Sequence, residues 1–263
     1  MKKETVATLK KWFFDYVRTF QSEDPEYKKN IYLKRDHTRR VCEEILDIGE
    51  SLGLTDDDLR LAYIIALFHD VGRFYQYDHY RTFSDLRSED HALLGARILK
   101  ETGVLINLEP QENYLVLKAV TYHNRATLPD AETQKCLFMT KLLRDADKLD
   151  IWKVVTDYYR EQKKSRNGAI ELDLPDRPEI SQAVYEDLMA QRIVKMGNLR
   201  TLNDFKLLQM GWVFDINFPR TFQLVRERGF LRVIRDSLPK SERVFKIYSK
   251  IESYLDSHCP DSL

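Results

Sequence analysis

Glycine and proline are scarce, with 9 and 8 residues in a chain of 263. That is about 3% each, against ordinary usage of roughly 7% and 5%. The shortage excludes a collagen-like or linker-rich chain and disfavours an all-β fold, which needs turn residues every 8–12 positions or so. Cysteine is limited to Cys42, Cys136 and Cys259, widely spaced and without a C-x-x-C pair. This predicts reduced thiols in a cytoplasmic protein rather than a disulfide framework. An excess of either charge is also lacking: 42 Lys and Arg balance 42 Asp and Glu, so nothing in the net charge asks for a nucleic-acid partner. The longest stretch free of charged residues is Leu61 to His69, far short of the roughly 20 residues of a membrane span. No apolar segment follows the first lysines, so no signal peptide is expected. Dinucleotide-binding, P-loop, nucleophile-elbow and H-E-x-x-H signatures are all missing.

What is present is helical periodicity. Val6, Leu9, Trp12, Phe13, Tyr16, Val17 and Phe20 recur at three and four, the spacing of one helix face. Residues 22–30, polar and containing Pro25, read as a connection. Val41, Ile45, Ile48 and Leu52 predict a second helix, ended by Gly53. Thr55 with Asp58 resembles a capping box and opens an apolar third helix running to about Phe74. The aromatic and polar stretch 75–88 reads as a loop, with Ser88 capping a helix that ends at Gly103. Further helices are expected over 111–123 and 132–159. The polar stretch 163–178 reads as the internal boundary, followed by helices at 179–197, 203–214, 219–237 and 241–256. Asp215 or Asn217 is expected to cap the third of these. The expectation is an all-α protein: a helical bundle with an N-terminal helix over 1–160, and a C-terminal helical lobe over 161–263 packed on it as one globular unit.

Five of the six histidines lie between residues 37 and 123. On the expected helices, His37 starts the second, His69 and Asp70 come late in the third, His91 starts the next, His123 ends the one after, and Asp147 lies late in the long helix. In a bundle, such positions can converge. A divalent cation takes imidazole nitrogens and carboxylate oxygens at about 2.0–2.2 Å, and facing helices are a natural place to build such a site. Taken alone, His69 reads as a hydrogen-bonded core histidine. Asp70 alone is a last-turn acid at the wrong end of a helix dipole, an oddity that a cation would compensate.

Leu67-Phe68-His69-Asp70-Val71-Gly72-Arg73 resembles the signature of the HD-domain superfamily of metal-dependent phosphohydrolases. Asp36-His37-Thr38 is similar to its upstream histidine. His91-Ala92-Leu93-Leu94-Gly95-Ala96 and Tyr122-His123-Asn124 are similar to the two histidines of its two-metal members, and Arg144-Asp145-Ala146-Asp147-Lys148 to its closing motif. The resemblance spans roughly residues 30–155. It implies an HD helical bundle in which His37, His69, Asp70 and Asp147 hold a first metal. His91 and His123 then complete a second, with Asp70 bridging and helping to activate a metal-bound water. Asp145 and Asp150 are left as supporting or surface acids.

The implied activity is hydrolysis of a phosphate ester or anhydride in a nucleotide or related small molecule, using two divalent ions (Fe, Mn, Co, Ni, Zn or Mg). Cations expected to meet the phosphate are Arg73, three residues after Asp70 on a helix, with Arg81, Arg125 and Lys148. Tyr75, Tyr77, Tyr80 and Phe83 either form a substrate lid over 75–88 or anchor that loop on the core. Two other readings stay open: a di-iron oxygenase with the same ligand order, and a non-catalytic regulatory scaffold. Oligomeric state is not legible.

Overall fold

Asp24 and Pro25 begin a helix rather than continue a connection. The Asp24 carboxylate accepts a hydrogen bond from the Glu26 amide, and Pro25 takes the first helical position, where its missing N–H costs nothing. The computed structural model describes residues 1–161 and 167–259. The expected boundary residues 163–166 lie outside the described residues. The described residues are helical without a β-strand, as the periodicity requires, and divide into two compact units, Met1–Asp150 and Ile151–Leu263.

The first unit contains α1 (Lys3–Arg18), α2 (Pro25–Ser51), α3 (Asp56–Phe68), α4 (Val71–Tyr80), α5 (His91–Glu101), α6 (Pro110–Tyr122) and the start of α7 (Gln134–Glu161). Gly53, at φ +68°, closes the turn after α2, a conformation that only glycine adopts cheaply. Thr55 caps α3 through the Asp58 amide. α3 is central, packing against α1, α2 and α6, and Ala62, Ile64, Ile65, Ala66 and Phe68 are fully buried. Phe68 meets Trp12 and Phe13 of α1 edge-on. Burying each side chain of this size contributes about 1.5–3 kcal/mol, so the position of α3 is firmly set.

Four expectations for this unit are corrected. Because α2 starts at Pro25, His37 sits in mid-helix rather than at a helix start. The apolar run ending in Phe74 is two helices, α3 and α4, which break at His69 and Asp70. The stretch 75–88 is helical through Tyr80; only its remainder is loop, with a one-turn 3-10 helix at Asp85–Arg87. The cap of α5 is Asp90, whose carboxylate accepts from the Ala92 and Leu93 amides, not Ser88.

The second unit holds the rest of α7, α8 (Gly168–Glu171), α9 (Gln182–Met189), α10 (Leu202–Gly211), α11 (Pro219–Arg228), α12 (Phe230–Asp236) and α13 (Glu242–His258). Every residue of α10 is buried. Its polar groups are accordingly paired: Thr201 and Asp204 form a capping box, Trp152 donates to the Gln209 carbonyl, and Lys206 donates to the Ser237 carbonyl. The expected helix 219–237 is interrupted by Gly229 at φ +64°. Neither Asp215 nor Asn217 caps α11; Phe218 occupies that position, and the Asn217 amide donates to the Asp215 carbonyl instead.

Candidate metal centre

The break between α3 and α4 builds the site. Phe68 is the last helical residue of α3, and Asp70 leaves helical geometry at φ −104°, ψ 16°. Asp70 is therefore not a last-turn acid. It stands at the N-terminal end of α4, where the helix dipole favours a carboxylate. His69 and Asp70 are both buried.

Around them α2 brings His37, the first turn of α5 brings His91, the end of α6 brings His123 and α7 brings Asp147. The imidazoles form a row: ring centroids are 5.3 Å apart for His37 and His69, 5.3 Å for His69 and His123, and 4.9 Å for His91 and His123. Two groups of possible metal donors result, His37–His69–Asp70 and Asp70–His91–His123, with Asp70 common to both.

Each imidazole has its Nδ1 committed. His37 Nδ1 is 2.6 Å from Asp150 Oδ2, and His91 Nδ1 is 2.7 Å from Asp85 Oδ2. His69 and His123 reach the Ala66 and Val120 carbonyls, both at 2.7 Å. A carbonyl or an ionised carboxylate can only accept, so each Nδ1 carries the proton. The neutral tautomer then leaves every Nε2 with an unprotonated lone pair. These nitrogens face each other, at 3.2 Å for His37 and His69 and 3.0 Å for His91 and His123. Paired lone pairs at that distance repel unless a cation, proton or metal, lies between them.

The distances fit a metal. Two donors each about 2.1 Å from one ion lie roughly 3.0–3.4 Å apart at 90–109°; the two imidazole pairs and His37 with Asp147 fall in that range, and the other carboxylate distances are wider, at 3.5–3.8 Å. Asp147 Oδ1 is 3.2 Å from His37 Nε2 and 3.6 Å from His69 Nε2, and it is a buried oxygen with no hydrogen-bond partner. Asp70 divides its oxygens: Oδ2 lies 3.5 Å from His37 Nε2 and 3.7 Å from His69 Nε2, while Oδ1 lies 3.5 Å from His91 Nε2 and 3.8 Å from His123 Nε2. Such an arrangement of oxygen and imidazole donors, with the far imidazole nitrogens held by carbonyls and carboxylates, is what a metal-binding cluster requires.

The electrostatics agree. Burial and Lys34 oppose a charge on His37, but Asp147 and Asp150 outweigh them and raise its pKa to about 9. The field at that end of the row thus attracts a cation. Burial and Arg73 outweigh Asp85 at His91 and lower it to about 4, which keeps that imidazole neutral. Asp70 and Asp147 are held well below the usual carboxylate range: burial opposes this, but Lys34 and His69 prevail at Asp70, and His37 and His69 at Asp147.

The remaining candidates are placed differently. Arg73 reaches the cluster, with Nε 3.5 Å from Asp70 Oδ1, but its Nη1 donates to Gln76, the Phe83 carbonyl and Asp85. Arg81 stacks over Tyr27 at 4.4 Å and Arg125 over Tyr122 at 4.7 Å. Lys148 is buried on α7. Of the aromatic stretch, Tyr77 and Phe83 are buried against each other, whereas Tyr80 is exposed. Asp145 is buried; Asp150 holds both His37 and Arg40.

Two neighbours escaped the sequence reading. Lys34 donates to Asp70 Oδ2 at 2.8 Å. It is three residues before His37 on one helix face, a relation visible once Asp24-Pro25 is read as a helix start. Asp85 carries no sequence signal, because its partnership with His91 depends on a loop path.

Residues 35–152 match the family model of the HD domain. The chain carries an HD domain. The matched segment contains all six residues whose Nε2 or carboxylate oxygens meet in the cluster. No curated protein and no solved structure matches the chain. The HD domain thus supplies buried His and Asp groups able to hold a divalent metal. A third acidic group, Asp85–Asp90–His91, is already spent on Arg73, Gln76 and the α5 cap. Among the described residues no helix is long and apolar enough to cross a membrane.

Proposed function

We propose that this protein is a metal-dependent phosphohydrolase, cleaving a phosphate ester or anhydride of a nucleotide or a related small phosphorylated molecule. The observation that carries the reading is the pair of facing-imidazole groups joined by one carboxylate, Asp70. His37, His69, Asp70 and Asp147 would hold one divalent cation, and His91, His123 and Asp70 a second. When bound, the cations supply a water of lowered pKa as nucleophile and neutralise the phosphoryl oxygens as charge develops.

The chain's own residues do the rest. Asp70 turns one oxygen toward the His37 side and the other toward the His91 side, and would serve both cations. Asp150 and Asp85 keep the Nε2 lone pairs of His37 and His91 available. Lys34, its side chain 16% exposed beside Asp70 Oδ2, stands where a phosphoryl oxygen entering the cluster would meet a positive charge. Arg73 adds a second charge there, while Arg81, Arg125 and Lys148 are the further candidates for contacts with the rest of the substrate. No side-chain nucleophile is needed in this scheme.

The test is metal analysis of the purified protein, joined to a panel of phosphomonoesters, phosphodiesters and nucleotide anhydrides with Mn, Fe, Co, Ni, Zn or Mg, and Asp70→Ala as control. Turnover that needs the metal and is lost in the variant is expected. Bound iron that consumes dioxygen while no phosphate is released would overturn the reading in favour of an oxygenase. A protein that binds no metal would overturn it in favour of a scaffold.

A further inference from the structure

The two halves of the cluster are fastened differently. His37, His69 and His123 are oriented by helices: Asp150 of α7, and the Ala66 and Val120 carbonyls of their own helices. His91 is oriented by Asp85, on the one-turn helix in the connection between α4 and α5. That connection is pinned from beneath by two side chains of α4. Arg73 Nη1 donates to the Phe83 carbonyl at 2.6 Å and to Asp85 Oδ1 at 2.9 Å. Gln76 Nε2 donates to the same Oδ1 at 2.9 Å, to Ser88 Oγ at 2.8 Å and to the Glu89 carbonyl at 3.0 Å. With Oδ1 taken, Oδ2 is left for His91. The outer side is open: the next residue, Leu86, is 82% exposed.

Donor number is unequal as well. Four groups face the first position (His37, His69, Asp147 and Asp70 Oδ2), and three face the second (His91, His123 and Asp70 Oδ1).

We propose that Asp85 is the positioning residue for the second cation, and that the two positions load in order. The His37–His69–Asp147 side fills first, and the His91–His123 side only while the 81–90 connection is seated on Arg73 and Gln76. The inference rests on the two-cation reading above. Its physical core is tautomeric. Without the Asp85 carboxylate, nothing in the observed arrangement holds the proton on His91 Nδ1. Moved to Nε2, that proton points at His123 Nε2, 3.0 Å away. The two rings then hydrogen-bond to each other and both donors to the second cation are lost. The first position keeps its own anchors and is unaffected.

The experiment is a manganese titration of the metal-stripped full chain, followed by calorimetry and by the electron paramagnetic resonance of free and coupled manganese. Wild type should take up two ions in separable steps and give the spin-coupled signal. Asp85→Ala should bind the first ion with unchanged affinity and the second 10–100-fold more weakly, the usual loss when the partner of a ligating histidine is removed. Asp85→Asn keeps the volume and an acceptor; it should lie between the two and carries the same test should the alanine variant not fold. Asp150→Ala should show the reverse, weakening the first ion. Long-range proton–nitrogen NMR of the metal-stripped protein should report His91 moving to the Nε2–H tautomer in Asp85→Ala. An Asp85→Ala protein that binds both ions like wild type, or loses both equally, overturns the proposal while leaving the two-cation reading intact. Wild type binding no manganese overturns both.

Discussion

Gly72, two residues after Asp70, offers the sharpest test of how the fold holds the site. A methyl group there would lie 2.3 Å from the His91 carbonyl oxygen, 2.7 Å from the Gly95 amide nitrogen and 3.2 Å from Gly95 Cα. All three are backbone atoms of α5, so no rotamer change relieves the overlap. Carbon–oxygen contacts settle at about 3.3–3.6 Å, which means α5 must retreat by roughly 1 Å. Overpacking costs about 1–3 kcal/mol, occasionally more, and a backbone obstruction belongs at the top of that range. The better helix propensity of alanine returns about 0.8–1 kcal/mol. Gly72→Ala should therefore lose about 2 kcal/mol, a fall of roughly 4–8 °C in Tm at 2–4 °C per kcal/mol. The same retreat carries His91 away from Asp85 and from His123. Since metal donors tolerate errors of only about 0.2 Å, the second cation should be lost and the first kept. Thermal melting with metal counting checks both effects. Gly95→Ala is the control: its methyl meets only atoms at 3.3 Å and beyond and should cost less. A Gly72→Ala protein melting within 1 °C or so of wild type with two ions bound would refute the reasoning.

Metal binding at pH 7.5 should release a proton, because His37, raised to about 9, is protonated before an ion displaces that proton; calorimetry in buffers of different ionisation enthalpy reads it, and heats independent of buffer would count against it. In metal-stripped protein the same raised pKa contributes stability that is complete below about 6.5, the ordinary histidine value, and is lost as pH rises through about 9; melts at pH 6.5 and 9.5 should differ in that direction. Chelation should lower Tm, by the equivalent of about 2.7 kcal/mol if the ion had been present at 100 times its Kd, and readdition should restore it. In the second unit, Gly229→Ala must hold alanine at φ +64° and should cost about 1 kcal/mol, seen as a small drop in denaturant midpoint without a change in metal content.

The helical class was legible because apolar residues recur at three and four along nearly every segment, and the buried residues of α1, Leu9, Phe13 and Val17, are those the spacing picks out. The convergence of His37, His69, Asp70, His91, His123 and Asp147 was suggested by their places on five expected helices, but the full set was legible through the family resemblance, since spacing alone does not say which helices meet. What escaped is local backbone geometry. Asp24-Pro25 reads as a connection if proline is taken as a breaker and as a helix start if it is taken with its capping acid. Apolar periodicity runs through His69-Asp70 without a gap, so the break there leaves no trace in hydrophobicity. Gly72 was visible as part of the motif, but its reason, the close pass of α5, depends on two helices meeting. Arg73 illustrates the limit of helix spacing: three residues after Asp70, it does reach that carboxylate, yet most of its hydrogen bonds go to the Asp85 loop.

As a device for stability the cluster is a poor choice. Asp70 and Asp150 are almost fully buried beside four buried imidazoles, and removing an ionised carboxylate from water costs several kcal/mol even after relaxation. Hydrophobic side chains of similar volume would serve a scaffold as well or better. Nor is the hydrogen-bond network complete in itself: the neutral His91 and His123 Nε2 atoms share no proton, and Asp147 Oδ1 and the His37–His69 pair are met only when His37 takes up a second proton. Every Nδ1, by contrast, is satisfied. Unmet need is thus confined to the one side of each ring that faces its neighbours. A polar core that evolved only to hold helices together would spread its pairing over both sides. One whose deficit is concentrated on inward-facing donors is built to be completed by a cation, and that argues for the metal-dependent readings over the scaffold.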